Sequence, residues 1–245
     1  MIEIKDLRVS LGGHTILDRV NLSIPAGQCL ALMGPSGLGK STLLKTLVGE
    51  YTPTSGTISD LNAVGYCQQN APLFPWLSVL ENLELASTQP KAEIEKLLAQ
   101  VGLAGIEEMK PHTISSGMRR RVTVLRAFLN NGSTVLLDEP FTGLDIVTRD
   151  QLIELVTTLW QRMAKTVVYV THDIDEAIRV ADRIAIFGPY GQEFTLDIVN
   201  PLPRPRQIST MDPASLLTYR NLWVEIEHAI KSSHLKTSHA KKQNL

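Results

Sequence analysis

The sequence predicts an α/β fold in which a mostly parallel β-sheet is covered by helices. Short apolar runs alternate with helical segments along most of the 245 residues. One of these runs, Cys29–Met33, leads into a glycine-rich loop and then into a segment with helical character. Residues 1–25 differ, because apolar and polar positions alternate there, as in antiparallel strands with one buried face. We therefore expect an antiparallel β region at the N-terminus of a parallel core.

The first fifty residues supply the clearest elements. A turn at Gly12-Gly13 is expected to join two strands. The apolar run Cys29–Met33 indicates a buried strand, and Lys40–Val48 indicates a helix that Gly49 ends. The N-terminal strands place their apolar residues on one face, namely Ile2, Ile4, Val20, Leu22 and Ile24.

The rest of the chain continues to alternate helical segments with apolar strands. From Gln69 to about Phe128 the pattern is helical, with an amphipathic segment at Glu93–Val101 that Gly102 ends. A strand at Thr134–Asp138 and a helix at Asp150–Met163 follow. Further strands are predicted at Val167–Val170 and Ile184–Phe187, a break at Pro201–Arg206, and a helix at Leu217–Ile230 before a polar end that is expected to fray.

Residues 34–42 read GPSGLGKST and match the phosphate-binding pattern G-x-x-x-x-G-K-[ST]. Glycine lets backbone N–H groups approach a polyphosphate closely, and the following helix offers unpaired N–H groups and a favourable dipole. Lys40 can reach the β- and γ-phosphates, and the Ser41 hydroxyl can ligate Mg²⁺. The predicted nucleotide-binding residues here are Gly34, Pro35, Ser36, Gly37, Gly39, Lys40, Ser41 and Thr42.

Two further patterns each have a purely structural interpretation. Ser115-Ser116-Gly117 precedes the helical segment Met118–Phe128, which starts with three arginines, and taken alone it is typical of a helix N-cap. Asp138-Glu139 ends an apolar strand and could simply start a helix. In phosphate-loop enzymes, however, an Asp at such a strand end holds Mg²⁺. The adjacent Glu139 is then placed to polarise a water that attacks the γ-phosphate.

Composition excludes several function classes. The formal net charge of −1 gives no basic field for nucleic acid. The N-terminus lacks the pattern of a secretory signal, and no run of about 20 apolar residues predicts a membrane span. Cys29 and Cys67 have no metal-binding or CxxC spacing, which favours buried thiols in a reducing compartment. We therefore expect a cytosolic protein.

The phosphate loop, ISSGM, TVLLDEP, FTGLD and VTHD occur in the order found in the ATP-binding cassette (ABC) ATPases, and residues 1 to about 200 resemble that family. The resemblance implies a phosphate-loop NTPase core with an N-terminal antiparallel subdomain. It also implies a helical subdomain at about 70–128 and a short C-terminal extension at 201–245. ATP and Mg²⁺ are the implied nucleotide and metal.

The resemblance also implies a site shared between two copies of the chain. Ser115 and Gly117 would bind the γ-phosphate that a partner subunit holds, and Asp145 would lie at the seam. His172 would contact the γ-phosphate and orient the attacking water, although a lone histidine is usually structural. Either Gln68 or Gln69 could bridge Mg²⁺ and the transport machinery, and spacing from Pro75-Trp76 favours Gln69.

The chain departs from the family pattern at three positions, one of which, Met118 in place of a common glutamine, is familiar among relatives. Leu11 stands where most relatives place an aromatic residue that stacks on adenine, for which His14 could substitute in part. Stacking of this kind is worth roughly 1–3 kcal/mol, so we expect weak adenine selectivity, and a preference for ATP over GTP above about a hundredfold would contradict this. Ser116 replaces a usual glycine and would restrict the loop if that position needed positive φ.

Two segments resemble importer subunits of the nitrate, sulfonate and taurine type: LFPWLSVLENL and PLPRPR. The resemblance implies a permease that docks on Pro72–Asn82, where Phe74 and Trp76 are suitable anchors, although core packing would also explain this apolar segment. It further implies an external solute-binding protein and a location on the cytoplasmic side of the membrane. An ABC exporter subunit and a soluble, non-transport ABC ATPase remain alternatives.

Overall fold

The computed structural model describes residues 1–59, 61, 63–69, 72–188 and 194–243, with the side chains of the last helix described as far as Ser233. The chain divides into two compact units. The first comprises Met1–Leu61 and Val168–Leu245, and the second comprises Asn62–Val167. Across the described ranges, no helix is both long and apolar enough to cross a membrane.

The first unit begins with an antiparallel sheet of three strands in the order β2-β1-β4. β1 (Ile2–Leu11) and β2 (His14–Ile24) pair antiparallel, and Gly12 and Gly13 between them have φ of 57° and 82°. Both the predicted turn and the predicted buried face are confirmed, since all five apolar residues of that face are buried. β4 (Ser55–Ser59) was not expected, because its small polar residues carry no strand signal.

A second sheet supplies the strands that hold the phosphate loop. β3 (Cys29–Met33) pairs in parallel with β8 (Arg183–Phe187), which pairs antiparallel with β9 (Phe194–Val199). β7 (Thr166–Val170) lies on the other side of β3. The predicted mostly parallel sheet is therefore confirmed. The sequence did not indicate β9, because it lies at the sheet edge and is only partly buried.

The described residues of this unit form three α-helices: α1 (Lys40–Leu47), α6 (Ile174–Val180) and α7 (Pro213–Gln243). α1 ends where expected, with Gly49 at φ 81°. α7 is longer at both ends than the predicted Leu217–Ile230. It packs against the unit through buried Leu222 and Ile226, and its Tyr219 hydroxyl donates to Asp175 of α6 at 2.5 Å.

The segment Asn200–Arg206, which we call the strap, closes the C-terminal end of α6. The side chain of Asn200 donates to the carbonyls of Ile178 and Ala181, at 2.7 and 3.0 Å. Arg204 donates to the carbonyl of Val180, and Arg206 donates to those of Ile178, Ala181 and Leu202. Arg206 is only 6 % exposed, and burial lowers the pKa of its guanidinium to about 10. The predicted break at PLPRPR is thus a helix cap.

Two strands and four α-helices lie in the second unit where the structure describes it. β5 (Val64–Cys67) and β6 (Thr134–Asp138) run parallel, with Cys67 opposite Leu137. The helices are α2 (Val79–Glu84), α3 (Lys91–Gln100), α4 (Ser116–Leu129) and α5 (Ile146–Met163). α5 starts four residues before the predicted Asp150, because the side chain of Asp145 accepts the Thr148 N–H and caps the helix.

Both cysteines are buried and free, as the sequence suggested. Cys29 starts β3 and Cys67 ends β5. Burial raises the pKa of each thiol above its ordinary value, because the thiolate would lose its hydration.

Candidate functional site

The phosphate loop, residues 34–42, has the backbone that its glycines predict. Gly34, Gly37 and Gly39 have φ of 133°, 80° and 93°, which residues with a side chain rarely adopt. A Cβ on Gly39 would also lie 2.6 Å from Cδ2 of Leu17 in β2. The loop therefore requires glycine for both conformation and space.

The start of α1 is suited to an anion. Its N-cap residue is Gly39, and no side chain caps this described helix end, so the N–H groups of its first turn are not held by a capping side chain. Lys40 is buried and donates to the carbonyls of Gly34 and Pro35, both at 2.8 Å. Its ammonium group thus lies inside the curve of the loop. Ser36 and Ser41 are exposed, and Thr42 is partly buried.

His172 leaves the sheet beside the strand that leads into the phosphate loop. The preceding residue, Thr171, donates its backbone N–H to Leu32 of β3 at 3.2 Å. The Thr171 hydroxyl donates to Glu176 at 2.5 Å, and Asp173 caps α6 by accepting the N–H groups of Asp175 and Glu176. His172 itself is exposed, so this network fixes its backbone while the ring faces solvent.

In the second unit, the register of β5 and β6 brings the predicted carboxylates and glutamines together. Because Cys67 lies opposite Leu137, the residues that follow each strand emerge at the same edge. The Gln69 side-chain amide donates to Oε2 of Glu139 at 2.9 Å. Asp138 is the last residue of β6 and is 5 % exposed.

Glu139 has a left-handed backbone with φ 47°, which is unusual for a residue with a side chain. Its Oε2 accepts a second hydrogen bond, from the Thr142 hydroxyl at 3.1 Å. Among the side chains that the structure describes, none donates to Oε1. The carboxylate is thus oriented through one oxygen while the other can accept a bond from water. The sequence interpretation of Asp138-Glu139 as a helix start is wrong, because no helix begins there.

The Ser-Ser-Gly turn is the N-cap that its sequence suggests. The Ser115 hydroxyl accepts the Met118 N–H at 3.1 Å, and α4 begins at Ser116. Ser116 is not among the described residues with positive φ, so the concern that it restricts the turn is removed. Gly117 needs to be glycine for another reason, since a Cβ there would lie 2.7 Å from Cγ2 of Thr148.

Asp145 lies close to this turn through the same threonine. Its carboxylate accepts the Thr148 N–H at 3.0 Å and the Thr148 hydroxyl at 2.6 Å. These bonds lower the pKa of Asp145, the hydroxyl bond having the largest effect. Thr148 therefore joins Gly117 and Asp145 within one unit. No sequence motif singled out Thr148, Thr142 or Arg120, and Arg120 donates from α4 to the carbonyls of Gln69 and Glu139.

The segment Pro72–Asn82, here called the docking segment, is half core and half surface. Leu73, Val79 and Leu80 are buried, as expected for core packing. Phe74 and Trp76 are 41 % and 69 % exposed, and their ring centroids lie 5.5 Å apart. Buried Asn82 holds the bend, because its side chain bonds both the N–H and the carbonyl of Phe74. The two aromatic rings thus form a supported, exposed apolar pair.

Leu11, at the position of the expected adenine-stacking residue, ends β1 opposite His14. It is half-buried and His14 is exposed.

Comparison with known proteins gives consistent matches. The ABC transporter family matches residues 17–142. The chain is 39 % identical to the aliphatic sulfonates import ATP-binding protein SsuB 2 of Rhodococcus jostii over 84 % of this chain and 86 % of that protein. It is 36 % identical to SsuB 1 of Paracoccus denitrificans over 93 % of this chain and 96 % of that protein.

Solved structures give the same fold. The ATP-binding cassette MJ0796, in a dimeric post-hydrolysis state with ADP and Pi, superposes with a TM-score of 0.69 at 29 % identity. This match covers 81 % of this chain and 98 % of that one. A second dimeric structure of MJ0796, described as a bacterial ABC transporter cassette, superposes with a TM-score of 0.70 at 30 % identity.

Proposed function

The chain belongs to the ABC transporter family, and from this premise we propose that it is the ATP-hydrolysing subunit of a membrane importer for a small anionic solute. The family comprises ATP-binding cassettes, and this chain is accordingly an ATP-hydrolysing enzyme. The relatives at 35–39 % identity are named import ATP-binding proteins for aliphatic sulfonates. Their names support import rather than export and suggest a sulfonate-like cargo.

Nucleotide binding is assigned to the phosphate loop. The left-handed glycines, the ammonium of Lys40 and the start of α1 suit the polyphosphate of ATP. With Leu11 in place of an aromatic residue, the loop would hold ATP mainly by its phosphates. The proposed Mg²⁺ ligands would each offer a side-chain oxygen, which is the donor type that Mg²⁺ prefers: Ser41, Asp138 and Gln69. When bound, Mg²⁺ would offset the charge that develops on the phosphates.

One observation carries the hydrolytic part of the proposal: the carboxylate of Glu139 is held through Oε2 by Gln69 and Thr142. A general base must be oriented toward the proton that it accepts, and Oε1 remains for a water molecule. We assign Glu139 as the base and Gln69 as the residue that senses the docked permease. His172 is assigned to contact the γ-phosphate and to orient the attacking water.

The site is completed by a second copy of the chain. MJ0796 is dimeric in both solved structures. In the proposed homodimer, Ser115 and Gly117 of one copy bind the γ-phosphate held by the other, and Asp145 lies at the seam. The start of α4 is suited to this task because helix N-termini favour anions.

The permease would bind the docking segment through Phe74 and Trp76, since exposed aromatic residues are typical interface anchors. An external solute-binding protein would complete the importer. In this proposed arrangement the chain would lie peripherally on the cytoplasmic side of the membrane. An exporter subunit or a soluble ABC ATPase would use the same hydrolytic residues, so the partner is what distinguishes these alternatives.

Two substitutions test the hydrolytic assignment. Glu139→Gln removes the base but keeps the hydrogen-bond acceptor, so we expect turnover to fall by about 10²-fold or more while ATP still binds and traps the dimer. Lys40→Ala removes the cation that meets the β- and γ-phosphates, so ATP affinity should fall. Turnover and isothermal titration with ATP measure the two effects. Near-normal turnover of Glu139→Gln would remove it as the base, and unchanged ATP affinity of Lys40→Ala would overturn the loop assignment.

A separate experiment tests the partner. Purification from detergent-solubilised membranes should recover a hydrophobic permease with the wild-type chain, and Phe74→Ala/Trp76→Ala should lose it. Val199→Ala is the matched control, because Val199 is 70 % exposed on β9 of the other unit. Recovery of the chain without any membrane protein would favour the soluble alternative.

A further inference from the structure

Arg120 lies one turn into α4 and donates its hydrogen bonds to backbone rather than to acidic side chains. Its Nη1 donates to the Gln69 carbonyl at 2.9 Å and, more weakly, to that of Gln68 at 3.4 Å. Its Nη2 donates to the Glu139 carbonyl and its Nε to the Pro140 carbonyl, both at 2.7 Å. One guanidinium thus holds two loops that are about seventy residues apart in sequence.

The accepting carbonyls belong to the residues whose side chains meet at the proposed base. Gln69 and Glu139 are themselves joined at 2.9 Å. Glu139 has a left-handed backbone, a conformation that persists only where its surroundings impose it. Arg120 supplies that constraint from outside the loop, because it binds the carbonyls of Glu139 and of the residue after it.

The geometry requires arginine rather than a generic cation. Nε and both Nη atoms point in different directions within one plane, and each meets a carbonyl of its own. A lysine ammonium is a compact charge on a flexible stem and cannot span these acceptors at once.

We propose that Arg120 is a positioning residue for ATP hydrolysis. It sets the Gln69 and Glu139 side chains relative to each other and ties them to α4, the helix that starts with the Ser-Ser-Gly turn. This inference rests on the proposed function, in which Glu139 is the base and Ser115 and Gly117 meet the partner's nucleotide. A nucleotide bound across two subunits would thereby act on the base through α4 as well as directly.

Arg120→Gln and Arg120→Lys test the proposal in the full-length protein. Both should lower kcat for ATP hydrolysis by about tenfold, which corresponds to a loss of positioning rather than of the base itself. Nucleotide affinity and KM should stay within about threefold, because no atom of Arg120 belongs to the phosphate loop. Lysine should not rescue the rate, since it keeps only the charge.

Arg121→Gln is the matched control. Arg121 is the next residue of α4 and is also partly buried, but its Nη1 donates to the Val101 carbonyl, away from both loops. Its kcat should remain within about twofold of wild type. A thermal melt of all variants separates a loss of fold from a loss of positioning.

Two results would overturn the proposal. One is an Arg120→Gln protein that is folded and has a kcat within twofold of wild type. The other is an Arg120→Gln protein in which the fall in kcat only follows a fall in melting temperature. In a Glu139→Gln background, Arg120→Gln should change the residual rate by less than about twofold, because the carboxylate through which it acts is gone. If Glu139→Gln itself hydrolyses ATP normally, the proposed function fails rather than this inference.

Discussion

The arginines of the strap in the first unit and Arg120 in the second unit both bind backbone carbonyls, and they differ in what they hold. Arg204 and Arg206 of the strap donate to the carbonyls of Ile178, Val180 and Ala181 at the end of one helix, α6. Arg120 serves carbonyls from two separate loops. The donors are alike. The acceptors, however, belong to a helix terminus in one case and to the surroundings of a proposed base in the other.

The difference predicts which property each group controls. The last carbonyls of a helix lack partners within it, so capping them with a buried arginine chiefly stabilises the fold. Arg206 is 6 % exposed and would leave buried acceptors behind if removed. Arg120 is less buried and fixes loops that already have other contacts, so its removal should affect rate more than stability.

The largest expected effect concerns the strap. Arg206→Met removes three hydrogen bonds from a buried site. The side chain of Asn200 still donates to two of the three carbonyls, those of Ile178 and Ala181. We expect the free energy of unfolding to fall by about 3 kcal/mol, measured by urea denaturation followed through tryptophan fluorescence.

Arg220→Met is the control, because Arg220 is exposed on α7. It should change the free energy of unfolding by less than about 0.5 kcal/mol. A loss below about 1 kcal/mol for Arg206→Met would break the comparison, since the strap would then not be the stabilising group.

A smaller effect is expected in the second unit, where Gly117 packs on Thr148. Gly117→Ala places a methyl group 2.7 Å from Cγ2 of Thr148, whose rotamer is held by Asp145. Overpacking of this kind should cost about 1–3 kcal/mol in the free energy of unfolding.

Thr148→Ser removes the opposing methyl group and keeps the hydroxyl that Asp145 accepts. The double variant Gly117→Ala/Thr148→Ser should therefore recover most of the lost stability in the same denaturation assay. If the losses in free energy of unfolding from Gly117→Ala and Thr148→Ser simply add, the contact between these two residues is not the cause. The start of α4 would then be held by Arg120 and Ser115 alone.

The smallest expected effect sharpens the comparison at the other end of α6. Tyr219→Phe removes one hydrogen bond to Asp175 and should lower the free energy of unfolding by about 1 kcal/mol, while kcat stays unchanged because the strap still caps the helix. Tyr51→Phe is the matched control, since the Tyr51 ring, rather than its hydroxyl, meets Lys45. A fall in kcat of Tyr219→Phe without a change in melting temperature would show that α6, like Arg120, affects the rate of hydrolysis rather than stability.

The strands and helices that a short run of residues identifies could be predicted from the sequence. β3 and β6 were predicted at their observed bounds, because a continuous apolar run followed by a polar strand end has few other interpretations. β4 and β9 were missed, since exposed edge strands lack that run. The C-terminal helix was predicted too short, because its polar end carries no apolar period.

The candidate site divides in the same way. Its residue types could be read from short motifs, since the phosphate loop, Asp138-Glu139 and His172 each follow a predicted strand. The bonds of Arg120 could not, because three successive arginines carry no information about the acceptors that folding brings to them. Ser116 is the reverse case. The sequence suggested that this residue would restrict the turn, but its backbone is helical and needs no positive φ.

The two buried cysteines have a practical consequence. A thiol reacts with maleimides as its thiolate, and burial both hides Cys29 and Cys67 and keeps them protonated at neutral pH. The wild-type chain should therefore behave as its own unreactive background for fluorophore labelling. A single cysteine introduced at an exposed position beside the docking segment, such as Leu85→Cys, would report binding of the proposed permease by fluorescence, without any prior replacement of native cysteines.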